Sequence, residues 1–545
     1  MLHSIINETS ISTRKWRLQS CGKVIAAFQK IRFMIQRDGS NTSLWQGSVK
    51  EFTTHNNPDT SRLYDAIIAG GGITGVTTAL LLQNAGMNCL LVEAKNLCFG
   101  TTGGTTAHIN TLLDVPYSRI EKNFNKDDAK LFASSLKEAV NTIEDNVRKY
   151  NIDCGFKNAT ATLFAQNDKQ AEELETISEA TARAGIANRF IEHLSIPLKF
   201  VKAMQVPGQA RFNAVRYVYE LAQQFEKAGG VILEKCRVLK ADENESVKVE
   251  TSRGDFNGRF LVYATHIPPG VNLLHFRCVP YRSYAMALTL KDNPYPDDLI
   301  YDMYDPYHYY RTQEIDGKRY FIAGGEDHKT AHEDNQEHCL LNLEAHVRKH
   351  FNVEGIIYKW SSQYYESADG LAYIGQLPGH QKIFVATGFG GNGMPYSHVA
   401  ALSLKRTICG EENPYQELYD PNRIKPVAGF KEFVNHNLDV VKQFASKFFS
   451  GNDMKVLADL ATSEGKIVKF NDEKIAIYKD NDGNLHAVSP ICTHVGCEVK
   501  WNNTELSWDC PCHGARYSCD GRVVTGPATK NLAKVNILEL SGKED

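Results

Sequence analysis

Ala66-Ile67-Ile68-Ala69-Gly70-Gly71-Gly72-Ile73-Thr74-Gly75 is a short apolar strand that runs directly into glycines in the pattern G-x-G-x-x-G. A helical pattern follows from Val76 to Ala85, then Gly86 and a second apolar strand, Cys89-Leu90-Leu91-Val92, which ends at Glu93. Each part has a physical task in binding a dinucleotide. Gly70 permits the tight turn, Gly72 lets backbone approach a pyrophosphate, and Gly75 allows helix and strand to pack closely. The helix N-terminus offers unpaired N–H groups to phosphate, and Glu93 is placed for ribose hydroxyls. The glycine pattern alone is weak evidence; strand, glycines, helix, second strand and terminal acid in this order are specific.

A second glycine- and hydroxyl-rich loop follows, Gly100-Thr101-Thr102-Gly103-Gly104-Thr105-Thr106-Ala107. It suits wrapping the phosphates and ring edge of a flavin, which favours FAD over a nicotinamide. Far downstream, Ile383-Phe384-Val385-Ala386-Thr387-Gly388-Phe389-Gly390-Gly391-Asn392-Gly393 is another strand entering glycines, preceded by Asp369-Gly370-Leu371-Ala372-Tyr373-Ile374-Gly375. From Tyr64 to about Cys409 strand and helix patterns alternate, which indicates α/β architecture.

From about Lys455 the texture changes to short strands and turns, such as Ile475–Lys479, Asp482-Gly483, Leu485–Val488 and Asp520-Gly521. This small all-β stretch carries Cys492-Thr493-His494 and Cys510-Pro511-Cys512-His513-Gly514. C-x-H followed by C-x-x-H is the spacing of a Rieske [2Fe–2S] site, with two thiolates on one iron and two imidazoles on the other. The expected ligands are Cys492 and Cys510, and His494 and His513. Two Cys and two His also make a zinc site, but the C-x-H and C-P-C-H-G frame is not a usual zinc spacing.

The chain of 545 residues is long enough for two or three domains. A net charge of −3 gives no reason to expect nucleic acid or an anionic membrane as partner, and no apolar run is long enough for a transmembrane helix. Of the thirteen cysteines, those outside the C-terminal group are dispersed and read as reduced, mostly buried thiols. That suggests a reducing, cytoplasmic setting. Residues 1–33 hold Arg14, Lys15, Arg17, Lys23, Lys30 and Arg32 against the single acid Glu8. They are read as a disordered extension or an upstream start, with a targeting or membrane-surface segment as the alternative. Residues 34–63 read as a polar lead-in, with Asp38-Gly39-Ser40-Asn41 as a breaker. Residues 413–454 read as linker and helix, the helical period lying at Phe430–Phe449, and 455–545 as the cluster module.

The region from Tyr64 to Tyr419 resembles the FAD-dependent amine oxidoreductases of the D-amino-acid oxidase and glycine oxidase type. Further echoes are Arg237-Val238, Val262-Tyr263-Ala264-Thr265, Tyr309-Tyr310-Arg311 and Gly324-Gly325-Glu326-Asp327. Taken whole, chain order and C-terminal module look like the bacterial members that carry a C-terminal Rieske domain. The resemblance implies a Rossmann-like FAD domain within 34–412, discontinuous at about 60–135, 205–270 and 346–412. An α+β substrate domain at about 136–204 and 271–345 is inserted into it. FAD contacts are implied at Gly70, Gly72, Ile73, Thr74, Gly75, Glu93, Thr101, Thr102, Thr105, Thr106, Val238, Gly388, Gly390 and Gly393. Arg311 resembles an arginine that pairs with a substrate carboxylate; the other reading is an ordinary exposed strand arginine.

The Rieske resemblance adds a second pair. In Rieske proteins of the cytochrome-complex class, residues at the places of Cys497 and Cys512 form a disulfide tying the cluster loops together; the alternative is two reduced thiols. The high-potential pattern of that class resembles C-P-C-H-G-S-x-Y, where this chain has Ala515, Arg516 and Tyr517. Gly526-Pro527-Ala528 resembles the family's proline loop. These likenesses imply that a small-molecule amine or amino acid reduces FAD by hydride transfer at its C–N bond. Electrons then pass singly to the cluster and on to an acceptor the sequence does not name. The competing readings are a non-catalytic redox sensor or docking protein, and a Rieske oxygenase with His328 and His332 near Glu326 and Asp327. The last fits poorly in spacing.

Overall fold

The apolar run Ala66–Ala69 forms the end of a strand, Leu63–Ala69, buried on both faces. A strand without polar alternation belongs inside a parallel sheet covered by helices, and it is found there. It pairs in parallel with Gly254–Tyr263 on one side and Cys89–Val92 on the other. Ile383–Thr387 and Val231–Leu233 extend the parallel array outward. Tyr373–Gln376 closes one edge antiparallel, and the hairpin of Val238–Glu243 and Val247–Thr251 feeds into Gly254–Tyr263. The helix Ile73–Asn84 is apolar almost all round and correspondingly buried, because the helices Gly393–Ile408 and Ala214–Lys227 pack over it.

In this computed structural model the described residues are 37–55, 58–291, 295–423, 460–470 and 473–536. The expected N-terminal extension and the expected helix at Phe430–Phe449 lie outside them. Among the described residues, no helix is long and apolar enough to cross a membrane.

A second, nine-stranded mixed sheet stands against the first. Its order is Val353–Ser367, Cys278–Leu290, Lys318–Lys329, His308–Ile315, Leu299–Asp302, Lys157–Ala165, Lys202–Arg211 and His108–Ile109, with Arg189–Ile191 beside Lys202–Arg211. Val353–Ser367 falls within a segment expected for the FAD domain, yet it belongs to this second sheet. Its ladder with Cys278–Leu290 runs antiparallel along almost its whole length.

The C-terminal module consists of two small antiparallel sheets. Gly465–Phe470, Glu473–Lys479 and Leu485–Val488 form one. Lys500–Asn502, Ser507–Asp509, Arg516–Ser518 and Val523–Thr525 form the other. Trp508, Tyr517, Val499 and Ala515 fill the core between the cluster loops.

A buried charge network joins this module to the rest. Arg282, from the second sheet, reaches Asp509 at 3.4 Å and Glu505 at 3.7 Å, and donates to Ser361 Oγ at 2.7 Å. Asp509 also takes Arg516 Nε at 3.1 Å and Asn502 Nδ2 at 2.9 Å. Arg516 continues to the Asp38 carbonyl at 2.6 Å and lies 3.6 Å from its carboxylate. All of these charged side chains are at most 3% exposed. The polar lead-in is therefore a clasp: Ser40 donates its N–H to Glu505 and its hydroxyl to the Thr504 carbonyl. Burial alone pushes the Asp509 carboxyl up, but Arg516 and Arg282 outweigh it and hold it below the usual carboxylate range.

Removing one partner of a buried pair strands the other. Arg282→Met should lower stability by about 3–5 kcal/mol, read by thermal unfolding; an unchanged unfolding profile would contradict the role given to the network. The sign with pH follows from the lowered Asp509. Its contribution is present above an unfolded pKa of ~3.9 and is lost as pH falls through the lower folded value, so the Arg282→Met penalty should shrink in acid.

Candidate functional site

The turn after Leu63–Ala69 works by close approach. Gly70 has φ +112°, and a Cβ on Gly75 would lie 1.9 Å from the Gly70 carbonyl oxygen. The second loop folds back over the first: Ile73 N–H donates to Thr102 Oγ1 at 3.1 Å. Glu93 accepts from the N–H groups of Gly71 at 2.6 Å and Lys95 at 2.8 Å, and burial pushes its carboxyl up.

These loops open one cavity between the two sheets. Gly70, Gly72, Ile73, Thr74, Glu93 and Val238 line it at the nucleotide end, and Thr101, Thr102, Thr105, Thr106, Gly390 and Gly393 line it further in. Gly75 and Gly388 are not on its wall. Gly75 packs behind the turn, and Gly388, at φ +73°, sits against Ser367 and Cys278.

Beyond Thr106 the wall comes from the second sheet and the loop after His108–Ile109. Tyr301, Tyr307, Tyr309, Tyr364, Asp114 and Asp327 face this chamber. Tyr301 Oη meets His108 Nδ1 at 2.7 Å and Asn110 Nδ2 at 2.8 Å; Tyr364 donates to Asp327 Oδ2 at 2.9 Å. Asn392 donates to Asp114 Oδ2 at 2.8 Å.

Arg311 is not among the lining residues. It follows Tyr309 on the same strand face but lies one step further along, under the Thr106–Ala107 backbone. Its guanidinium donates to the carbonyls of Thr106, Ala107 and Phe212 and to Gln313 Oε1, and it stacks over Trp45. The expectation that Arg311 meets a substrate carboxylate is therefore corrected: a fully buried arginine, bonded at both terminal nitrogens to carbonyl oxygens, braces the loop. His328, considered for an iron site, is bonded to Tyr284 Oη and the Lys329 carbonyl.

In the C-terminal module, Cys497 and Cys512 form a disulfide between the two cluster loops. Cys492 Sγ lies 3.2 Å from Tyr517 Oη. The neighbouring Cys510 thiol, with Tyr517 adding to it, draws Cys492 down to about 7, while Cys510 itself is raised. His494 Nε2 meets the Gly270 carbonyl at 3.0 Å, which leaves its buried Nδ1 without a partner among the described residues. The His494 and His513 ring centroids are 5.0 Å apart.

Both histidines press against the flavin half. His275 packs on His494 at 4.7 Å and Phe276 on His513 at 5.6 Å. Gly270 also donates its N–H to the Pro527 carbonyl at 3.2 Å, and Val524, Thr525, Gly526, Ala528 and Thr529 form part of the cavity wall. Tyr365 donates to the His513 carbonyl at 3.2 Å and Gln363 Nε2 to the Gly514 carbonyl at 2.9 Å. The Gln363 carbonyl in turn accepts from Thr101 Oγ1 at 2.9 Å. This approach depends on Gly514, since a Cβ there would lie 2.8 Å from Gln363, Pro280 and Tyr365. Sequence reasoning did not single out Gly270, His275, Gln363 and Tyr365; the one local signal was Pro268-Pro269-Gly270 after the Val262–Thr265 strand end.

Two family models match the chain. The FAD dependent oxidoreductase model covers residues 65–405. The chain belongs to that family. The Rieske [2Fe-2S] domain model covers residues 453–536. This oxidoreductase is 33% identical over 477 residues to the Bacillus subtilis (strain 168) protein YhfW, described as a Rieske 2Fe-2S iron-sulfur protein; the match spans 87% of this chain and 93% of the relative. It is 22% identical over 387 residues to gamma-glutamylputrescine oxidoreductase of Escherichia coli (strain K12), covering 68% of this chain and 89% of that one. Among solved structures, glycine oxidase from Geobacillus kaustophilus superposes with a TM-score of 0.57 at 16% identity, over 66% of this chain and 99% of that one; this is a likeness of fold.

The protein is thus an FAD oxidoreductase with a [2Fe–2S] module, and its residues fit both groups. The glycine turn leaves room for a pyrophosphate that any Cβ at Gly75 would disturb. The orphaned His494 Nδ1 and the sulfur pair of Cys492 and Cys510 match the mixed donor set of a Rieske cluster.

Two outcomes follow. Gly75→Ala should give protein that retains the cluster EPR signal but lacks most of its FAD absorbance; full flavin content would refute the role given to the turn. Ala515→Ser should raise the cluster potential in a redox titration by restoring a hydroxyl donor to the cluster sulfurs; an unchanged potential would refute that.

Proposed function

We propose that this oxidoreductase oxidises an amine or amino acid at its C–N bond and that the electrons leave through the Rieske cluster. Bound FAD supplies the two-electron oxidation and the cluster accepts one electron at a time, while the protein orients and tunes both. The observation that carries the reading is the shared wall. Residues 524–526 and 528–529 of the cluster module line the same cavity as Thr101 and Gly390, and Gln363 and Tyr365 connect that wall to the backbone of His513 and Gly514. Glycine oxidase and gamma-glutamylputrescine oxidoreductase, similar to this chain in fold and sequence respectively, both bear amine or amino-acid substrates in their names.

The chain's own residues divide the work. Thr101 and Thr102 tie the second glycine loop to Gln363 and to the helix start at Ile73. Arg311 braces the Thr106–Ala107 backbone from below. His108, kept neutral by burial and by the charge of Arg311, orients Tyr301 at the chamber wall. His494 and His513, which would hold one iron of the cluster, lie against Gly270, His275 and Phe276, and the cluster would supply one-electron transfer toward an acceptor outside the chain. A sensor that only reports redox state has no use for a chamber of tyrosines and carboxylates beyond Thr106, which favours turnover over the sensor reading.

Anaerobic mixing with amines and amino acids tests this. The flavin should bleach first and the cluster EPR signal should follow. Tyr365→Phe removes the hydroxyl's bonds to His513 and Gln363, and Gln363→Leu removes those to Gly514, Tyr365 and Thr330; at about 1 kcal/mol per bond, both should slow the second phase several-fold while leaving the first unchanged. Bleaching without any later cluster signal would sink the relay.

A further inference from the structure

We propose that the chamber beyond Thr106 takes an aliphatic amine with a second, cationic nitrogen, a di- or polyamine, and that Asp327 holds that distal cation. The inference rests on the C–N oxidation reading and narrows its substrate class.

The chamber is lined by two carboxylates, Asp114 and Asp327, and four tyrosines, Tyr301, Tyr307, Tyr309 and Tyr364. The charge of Asp114 is felt at Asp327 and at each of the four tyrosines, so the six surround one space. Tyr364 donates to Asp327 Oδ2, whereas Asp327 Oδ1 is buried and has no hydrogen-bond partner among the described residues. Burial pushes the Asp327 carboxyl up to about 6, against the pull of Ser283 and Tyr364. Two carboxylates lining one cavity repel each other, and a cation between them relieves the repulsion.

Among the described residues, no lysine or arginine lines this end to pair with a substrate carboxylate. Lys95 and Arg237 line the cavity, but at the nucleotide end, where both feel the charge of Glu93. Burial, with Arg311 adding to it, drives the His108 imidazole well below its ordinary range, so it stays neutral. Arg311 is spent on backbone carbonyls. His308 lies between Asp302 and Glu326, at 3.1 and 3.3 Å, and does not line the cavity.

The nitrogen that reacts is the other one. Its C–N single bond becomes C=N as the α-carbon gives a hydrogen with two electrons to FAD and the nitrogen gives a proton to solvent. Water then hydrolyses the imine.

Two titrations of the oxidised and anaerobic holoenzyme test the assignment. Tetramethylammonium should perturb the flavin absorption spectrum saturably, and acetate should not. Spermidine and putrescine should bleach the flavin at concentrations at least tenfold below those needed with glycine or proline. Asp327→Asn should raise the half-saturating concentration of tetramethylammonium and of spermidine by about tenfold or more, with Asp114→Asn moving both in the same direction should the first variant not fold. Bleaching by glycine or proline with the diamines inert overturns this inference and leaves C–N oxidation standing. Cation binding unmoved by either substitution overturns it as well, and a flavin that no amine or amino acid bleaches overturns both readings.

Discussion

The relation between the two redox halves depends on one buried charge network, Arg282–Asp509–Arg516–Asp38, with Glu505 on its flank. Removing four or five charges from water costs several kcal/mol per ion, and the cost is met only where each charge finds partners at good geometry. An apolar seam of the same area would tolerate sliding. A guanidinium fork has fixed donor directions, so Arg282 and Arg516 accept few positions of the module against the second sheet. This orientation brings the loop around Gly526 to the cavity wall and the histidine ligands under Gly270 and His275. The 37–43 segment serves the same end, since Asp38 and Ser40 reach the cluster module from the flavin side.

With the orientation set, local chemistry can be modest. The strand end, glycine turn and Glu93 form the nucleotide end, and the second sheet supplies a chamber of tyrosines and carboxylates. Gly514 belongs to the cluster loop, yet its lack of a side chain is what lets Gln363 and Tyr365 touch that loop. A glycine of the metal-binding frame thus also serves the contact between the domains. The cluster's histidine edge, which a lone module would expose, is covered by Gly270, His275 and Phe276.

What was legible in the sequence is what is local. The G-x-G-x-x-G turn, the second glycine loop and the Cys-His frame each lie within a few residues, so spacing alone reports their chemistry. The α/β class and the all-β C-terminal module followed from strand texture. The contacts that join the halves are long-range: Arg282 to Asp509 and Gln363 to Gly514 link distant strands, and no pattern within either partner announces the other. Arg311 misled for a related reason. It lies on a strand of the second sheet, but the Thr106–Ala107 backbone that covers it comes from a distant loop. Val353–Ser367 reads as an ordinary strand, and only its ladder with Cys278–Leu290 shows which sheet it joins.

The central claim is that the cluster takes its electron from the flavin of its own chain. It is tested most directly by the rate at which the cluster EPR signal rises after anaerobic flavin reduction, measured by freeze-quench over a wide range of protein concentration. A shared wall within one chain predicts a first-order rate independent of concentration. A rate that rises in proportion to concentration would mean that the electron crosses between molecules, and would contradict the account.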